Sequence, residues 1–368
     1  MSTDCFPLRF IFGEKSSGNS GKNALEKPIA PLTRLLSLNL IHLNIQPTTM
    51  SYYFYLQPPA DLPVLSVGDF AELVPNFRPA ILDPETGEVD DDPMEFLAPP
   101  LSQNVVTFVR PEYSVFGLRV TFDENRKAYE LALHRPCALQ DWAILKEVVR
   151  TLVQKWACPI RVENHPEPET IISLEELEAF DPTDDTLLGL QLVENALSKT
   201  SEPFELLVAA RRTIFIDQST IDKIKASDSP AQAFSDFAYK TQYPNAALTP
   251  VHMVRDQKGN LIGLYIIRAD VPAVLPITPF LITEDEETPP VTQWNVLYVA
   301  EEVEGDENSL RPVDEIELAF LNEVLDEIFI PLDANSRILP GIPRETMEEI
   351  FAVLKEGQET SDEDGEKA

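Results

Sequence analysis

Three cysteines in 368 residues, Cys5, Cys137 and Cys158, are too few and too scattered to staple a small extracellular scaffold. They exclude a disulfide framework and fit a reducing, cytoplasmic compartment. Leu139 to Trp156 reads as one helix, which would hold Cys137 and Cys158 roughly 25 Å apart, against a bridging limit of about 7 Å. Glycine is scarce as well, 13 in all, and nowhere forms the GxGxxG or GxxxxGK turns that cradle a nucleotide's phosphates. Rossmann and P-loop chemistry are thereby excluded. Of the four histidines, His134, His165 and His252 stand apart from one another and from the cysteines, without the CxxC, HxxxH or HExxH spacing that converges on zinc. His134, at a strand end, and His165, in a Pro/Glu loop, read as surface residues, and no metal or other cofactor is expected. There is no GxSxG elbow, and Cys158, between Ala157 and Pro159 at a helix end, suits a buried thiol better than a nucleophile. No catalytic residue is assigned.

Long hydrophobic runs are missing too. The longest candidate, Leu35 to Ile45, is interrupted by Ser37, Asn39, His42 and Asn44, well short of the roughly 20 apolar residues of a membrane-spanning helix. Arg9 splits the first apolar run and no small-residue cleavage site follows, so a secretory signal is not expected.

Positive charge is the next deficit: 29 Lys and Arg face 62 Asp and Glu, a formal net charge of −33. Such a surface repels polyanions, which argues against nucleic acid and anionic membrane as partners. It favours solubility and, among proteins, a basic partner. The densest acidic stretch is the proline-bounded loop Asp83 to Pro93. Laid on the EF-hand pattern, Gly87 falls at loop position five where six is required and the flanking helices are missing, so that match fails, leaving a nonspecific cation site on Glu88, Asp90, Asp91 and Asp92 as the alternative to a solvated turn. Glu85, Glu88, Asp90, Asp91 and Asp92 remain as a candidate acidic partner surface, weighed against a plainly solvated turn. Paired carboxylates for acid/base work stay open, because this many acids produce accidental pairs.

What is present reads as α+β: two mixed, mainly antiparallel sheets with helices packed on one face. Residues 1–49 carry five basic and three acidic residues against 24 and 59 in the remainder, so they look like a leader, with Met50 as the expected true start. An N-terminal domain is expected over 50–180, a linker and connecting helix over 181–200, a C-terminal domain over 201–357, and a disordered acidic tail over 358–368. Phe116 to Asp123 and Lys127 to Arg135 form a hairpin, with Leu118, Val120 and Phe122 facing one way and Arg119, Thr121 and Asp123 the other. The apolar stripe Leu139, Trp142, Leu145, Val148, Val149, Leu152 predicts a helix on a sheet. Ser173 to Glu176 matches a capping box. Ser229-Pro230 supplies a cap and a first helical proline. A second hairpin joins Pro250–Arg255 to Leu261–Ala269, and Pro312 and Pro343 each open a helix, the last ending at Gly357. Tyr265, Arg268, Asp270 and Trp294 could line a pocket, but two large aromatics on a strand face read better as core.

From Phe116 through Trp156, and again from Ile214 through Phe280, the hairpin, the tryptophan-bearing helix and a Gly-Asn-Leu-Ile-Gly-Leu-Tyr hairpin ending in Val-Leu-Pro follow in a distinct order. In this the chain resembles an uncharacterised family of acidic bacterial cytosolic proteins, a domain of unknown function. The resemblance covers about half the chain and transfers no catalytic residue. A non-catalytic protein-interaction or regulatory protein is the leading expectation, an enzyme using carboxylates the alternative, and a DNA-mimic inhibitor the third.

Overall fold

The structure is a computed structural model that describes residues 51–80, 96–164, 169–256, 258–279, 290–302 and 309–353. The leader, the acidic loop and the tail named above lie outside the described residues, as do His165 and Gly357. The class is α+β.

The first half builds seven strands: β1 (Ser51–Leu56), β2 (Arg78–Pro79), β3 (Val106–Val109), β4 (Leu118–Asp123), β5 (Ala128–His134), β6 (Ile160–Asn164) and β7 (Thr170–Ile172). They pair antiparallel throughout, in the order β2-β3-β4-β5-β1-β6-β7. β1 therefore lies in the middle, between β5 and β6. Alternation does the rest, since successive strand residues point to opposite faces. Phe54, Leu118, Val120, Leu131 and Leu133 turn to one face, where α2 (Leu139–Trp156) buries Trp142, Leu145, Val148, Val149 and Leu152 against them. At about 1.5–3 kcal/mol per fully buried large apolar side chain, this stripe is the main force holding helix to sheet. α1 (Val67–Leu73) and α3 (Leu174–Ala179) flank it, each opened by a complete capping box, Ser66 with Asp69 and Ser173 with Glu176.

The second half distributes its strands over more sheets than one. After α4 (Thr183–Leu197), β8 (Glu205–Leu207) and β9 (Ile214–Ile216) form a two-stranded pair, followed by α5 (Gln218–Lys225) and α6 (Pro230–Gln242). Asp217 caps α5 through the Thr220 N–H, whereas Ser229 makes no side-chain cap bond to α6, so Pro230 alone carries that start. The remaining strands are β10 (Ala247–Leu248), β11 (Val251–Arg255), β12 (Leu261–Arg268), β13 (Ala273–Pro276), β14 (Val291–Glu301), β15 (Leu310–Glu317), β16 (Ile330–Pro331) and β17 (Ser336–Leu339). They form two four-stranded sheets, β11-β12-β14-β15 and β10-β13-β17-β16. Each contains one parallel pair, β12 with β14 and β10 with β13.

One expected helix is corrected. The segment after Pro312 is the strand β15, and α7 (Leu318–Val324) starts only at Leu318. Ile316 pairs opposite Val296, and Pro312 sits at a register shift on an outer strand, where a missing N–H is tolerated. The last helix, α8, spans residues 344–353. Three apolar clusters result, one under the seven-stranded sheet, one among α4, α5, α6 and β9, and one between the two four-stranded sheets and α7 and α8.

Candidate functional site

Glu85, Glu88, Asp90, Asp91 and Asp92, the acidic surface read from the sequence, lie outside the described residues. Tyr265 and Trp294 stack with ring centroids 6.0 Å apart, Tyr265 buried in the core, and Arg268 is paired with Glu301. The two aromatics are packing, and Arg268 is taken up by an ion pair. Cys137 and Cys158 are both free thiols, and burial pushes both above the usual thiol range. Among the described residues, no three His, Cys, Asp or Glu side chains converge as metal ligands do.

Three buried aspartates are each committed to nearby donors. Asp141, in the first turn of α2, accepts from the backbone N–H groups of Val115, Phe116 and Gly117, each at 3.1 Å. Gly117 holds φ +80, a conformation open to glycine. Desolvation outweighs those donors and pushes the Asp141 carboxyl up to about 6. Asp185, in α4, takes Arg135 Nε at 2.5 Å on one oxygen, and the Cys137 thiol and Trp142 Nε1, both at 3.3 Å, on the other. Asp333 faces Arg212 at 3.0 Å and accepts from the Asn335 N–H. These carboxylates fasten segments distant in sequence to one another.

The face of the seven-stranded sheet turned away from α2 carries polar chains in register. At one end Arg126 lies over the Tyr55 ring, 3.9 Å from its centroid, and pairs with Glu163 at 2.9 Å and Glu169 at 2.7 Å, while Arg161 reaches Glu169 at 3.4 Å. At the other end a cavity of about 110 Å³ is lined by Tyr53, Arg119, Thr121, Glu130 and His134. There Arg119 donates to His134 Nε2 at 2.7 Å, so that nitrogen is the unprotonated one. Burial, then Arg119 itself, pulls the His134 imidazole down to about 4. Burial also lowers Arg119 and raises Glu130. His134 is thus no surface residue: its strand places it inward on the polar face. The alternation that put Arg119 and Thr121 on that face was legible; that the face would fold into a cavity was not.

A second feature lies in residues 323–332. Val324, Ile328 and Ile330 are 47%, 42% and 54% exposed, and Glu323, Asp326 and Glu327 beside them are exposed too. Among the described residues β16 is the last strand of its sheet, with no strand on its outer edge. Pro331 and Leu332 continue into a groove of about 480 Å³ that also takes in Lys223, Ile224, Ala233 and Phe237 from α5 and α6. Three apolar chains thus stand in water amid carboxylates.

The comparisons with known proteins point one way. A family model described as a domain of unknown function, DUF4299, matches residues 51–350. The chain belongs to this family. No curated protein and no solved structure matches it. Both features just described, the sheet-face cavity and the 323–332 surface, fall inside the DUF4299 span. No helix among the described residues is long and apolar enough to cross a membrane.

Proposed function

We propose that this DUF4299 protein is a non-catalytic interaction or regulatory protein of the bacterial cytoplasm, and that it docks a basic, amphipathic segment of a partner protein on residues 323–332 and the adjoining groove. The observation that carries the reading is the alternation in one short stretch of exposed Val324, Ile328 and Ile330 with exposed Glu323, Asp326 and Glu327. An apolar strip provides anchoring area, and acids set among it select lysine and arginine over other chemistries. The formal charge of −33 acts in the same sense at longer range. The carboxylate-enzyme alternative is weaker, because Asp141 is held by three backbone N–H groups, Asp185 by Arg135, Cys137 and Trp142, and Asp333 is ion-paired with Arg212.

A labelled helical peptide of alternating leucine and lysine serves as the probe, with fluorescence anisotropy as the readout. Ile328→Glu and Ile330→Glu are expected to weaken its binding about tenfold or more, the range of an interface hot spot. Unchanged affinity in both variants would mean that the probe reads only the diffuse acidic field, and the docking surface would be wrong.

A further inference from the structure

We propose that the cavity on the polar face of the seven-stranded sheet is a binding site for a small monocarboxylate, gripped by the Arg119 guanidinium. It lies in a different sheet from the 323–332 surface and stands independently of it. Acids outnumber bases by 62 to 29, so an inward-facing arginine should find a carboxylate easily. Arg126 and Arg161 on the same face do so, with Glu163 and Glu169. Arg119 does not. Among the described residues it makes no direct ion pair: Glu130 and Tyr53 act on it by charge at longer range, and the group that it hydrogen-bonds is the unprotonated nitrogen of His134. A neutral imidazole accepts one hydrogen bond from a guanidinium that has five N–H groups, and supplies no countercharge. A half-buried cation in that position is stabilised by an incoming anion, and the planar fork suits a carboxylate.

The lining limits what that anion can be. Glu130 shares the cavity and offsets the Arg119 charge, so a monoanion leaves one net negative charge there and a dianion such as phosphate leaves two, which favours the monoanion. Val105, Ala132 and the Tyr53 ring offer apolar wall, and about 110 Å³ leaves room for a short aliphatic chain. A nucleotide or drug-sized ligand needs roughly 300 Å³ or more. The carboxylate could arrive as a free short-chain acid or as the C-terminus of a peptide, which share this chemistry.

The test titrates the full chain with butyrate, butyramide and inorganic phosphate, followed by calorimetry and by the His134 imidazole signals in NMR. The expected result is one saturable site for butyrate, none for butyramide at the same concentrations, and weaker binding of phosphate. A bound carboxylate should also raise the His134 pKa from about 4, because a negative group then faces the ring alongside Arg119 from β4, Glu130 from β5 and Tyr53 from β1. Arg119→Gln should weaken butyrate about tenfold or more, the cost of losing a charged hydrogen bond, and Glu130→Gln should strengthen it. If Arg119→Gln fails to fold, the Glu130→Gln titration and the His134 shift decide. A peptide with a free C-terminus that competes with butyrate, while its amide does not, would assign the ligand as a chain end; no competition would assign a free acid. Equal binding of butyrate and butyramide, tighter binding of phosphate, or a His134 signal that ignores butyrate would each overturn the site.

Discussion

At the scale of single residues, the buried acids of this chain work as fasteners. Asp185 joins α4 to the end of β5 and the start of α2 through Arg135, Cys137 and Trp142. With both side chains of the pair only 3% exposed, Asp185→Ala strands a guanidinium in the interior, and a loss of about 3–5 kcal/mol in denaturant unfolding is expected. Replacing both partners, Arg135→Met with Asp185→Leu, should recover most of it, because two apolar chains leave no charge behind. A double variant as unstable as the single one would show that the pair itself, and not its desolvation, is what matters. Asp141 gives a pH-dependent counterpart. Its folded-state pKa, about 6, lies above the ordinary 3.8, so the proton is bound more tightly in the folded chain. Its contribution to stability is therefore fully present below about pH 4 and is lost as pH rises through about 6, a swing of about 3 kcal/mol. Asp141→Asn has no such swing. The stability of wild type relative to Asp141→Asn, from urea unfolding at about pH 4 and about pH 7, should fall by up to that amount; a constant difference would place the carboxyl's pKa at its ordinary value.

Among the elements, legibility followed locality. The hairpin of β4 and β5, the helix α2 and the capping box at Ser173 are written in residues a few positions apart, and all appear where the sequence places them. The helix expected at Pro312 shows the converse. Val313, Ile316, Phe320 and Leu321 fit a helical spacing, but Ile316 is claimed by β14 through its partner Val296, and the strand runs on until Glu317. Pairing with a distant strand overrides a local pattern that does not specify it. The cavity at Arg119 and His134 was hidden for the same reason. Its residues come from β1, β4 and β5, and β1 enters the middle of the sheet from the far end of the sequence. Gly263 on β12 tests such a long-range constraint. It pairs with Trp294 on β14, and a Cβ there would overlap atoms of the indole ring. Gly263→Ala should thus cost about 1–3 kcal/mol by overpacking. Added to Trp294→Leu, the same change should cost much less, since the ring is gone; a fully additive double variant would remove the clash as the cause.

For the molecule as a whole, charge and apolar surface play separable parts. A net −33 spread over the chain creates a long-range field, while Val324, Ile328 and Ile330 act only on contact. A field steers encounter and so governs the association rate; contact area governs how long the complex survives. The Debye length shrinks from about 30 Å at 0.01 M salt to about 10 Å at 0.1 M. For the leucine–lysine peptide, stopped-flow association should therefore slow by about tenfold or more across that range. Dissociation should hardly respond to salt. Ile330→Glu should do the reverse, shortening the lifetime of the complex while leaving association nearly unchanged, because one more negative charge barely alters a field this large. If Ile330→Glu changed only the association rate, the strip at 323–332 would be a bystander, and the acidic field alone would account for the affinity.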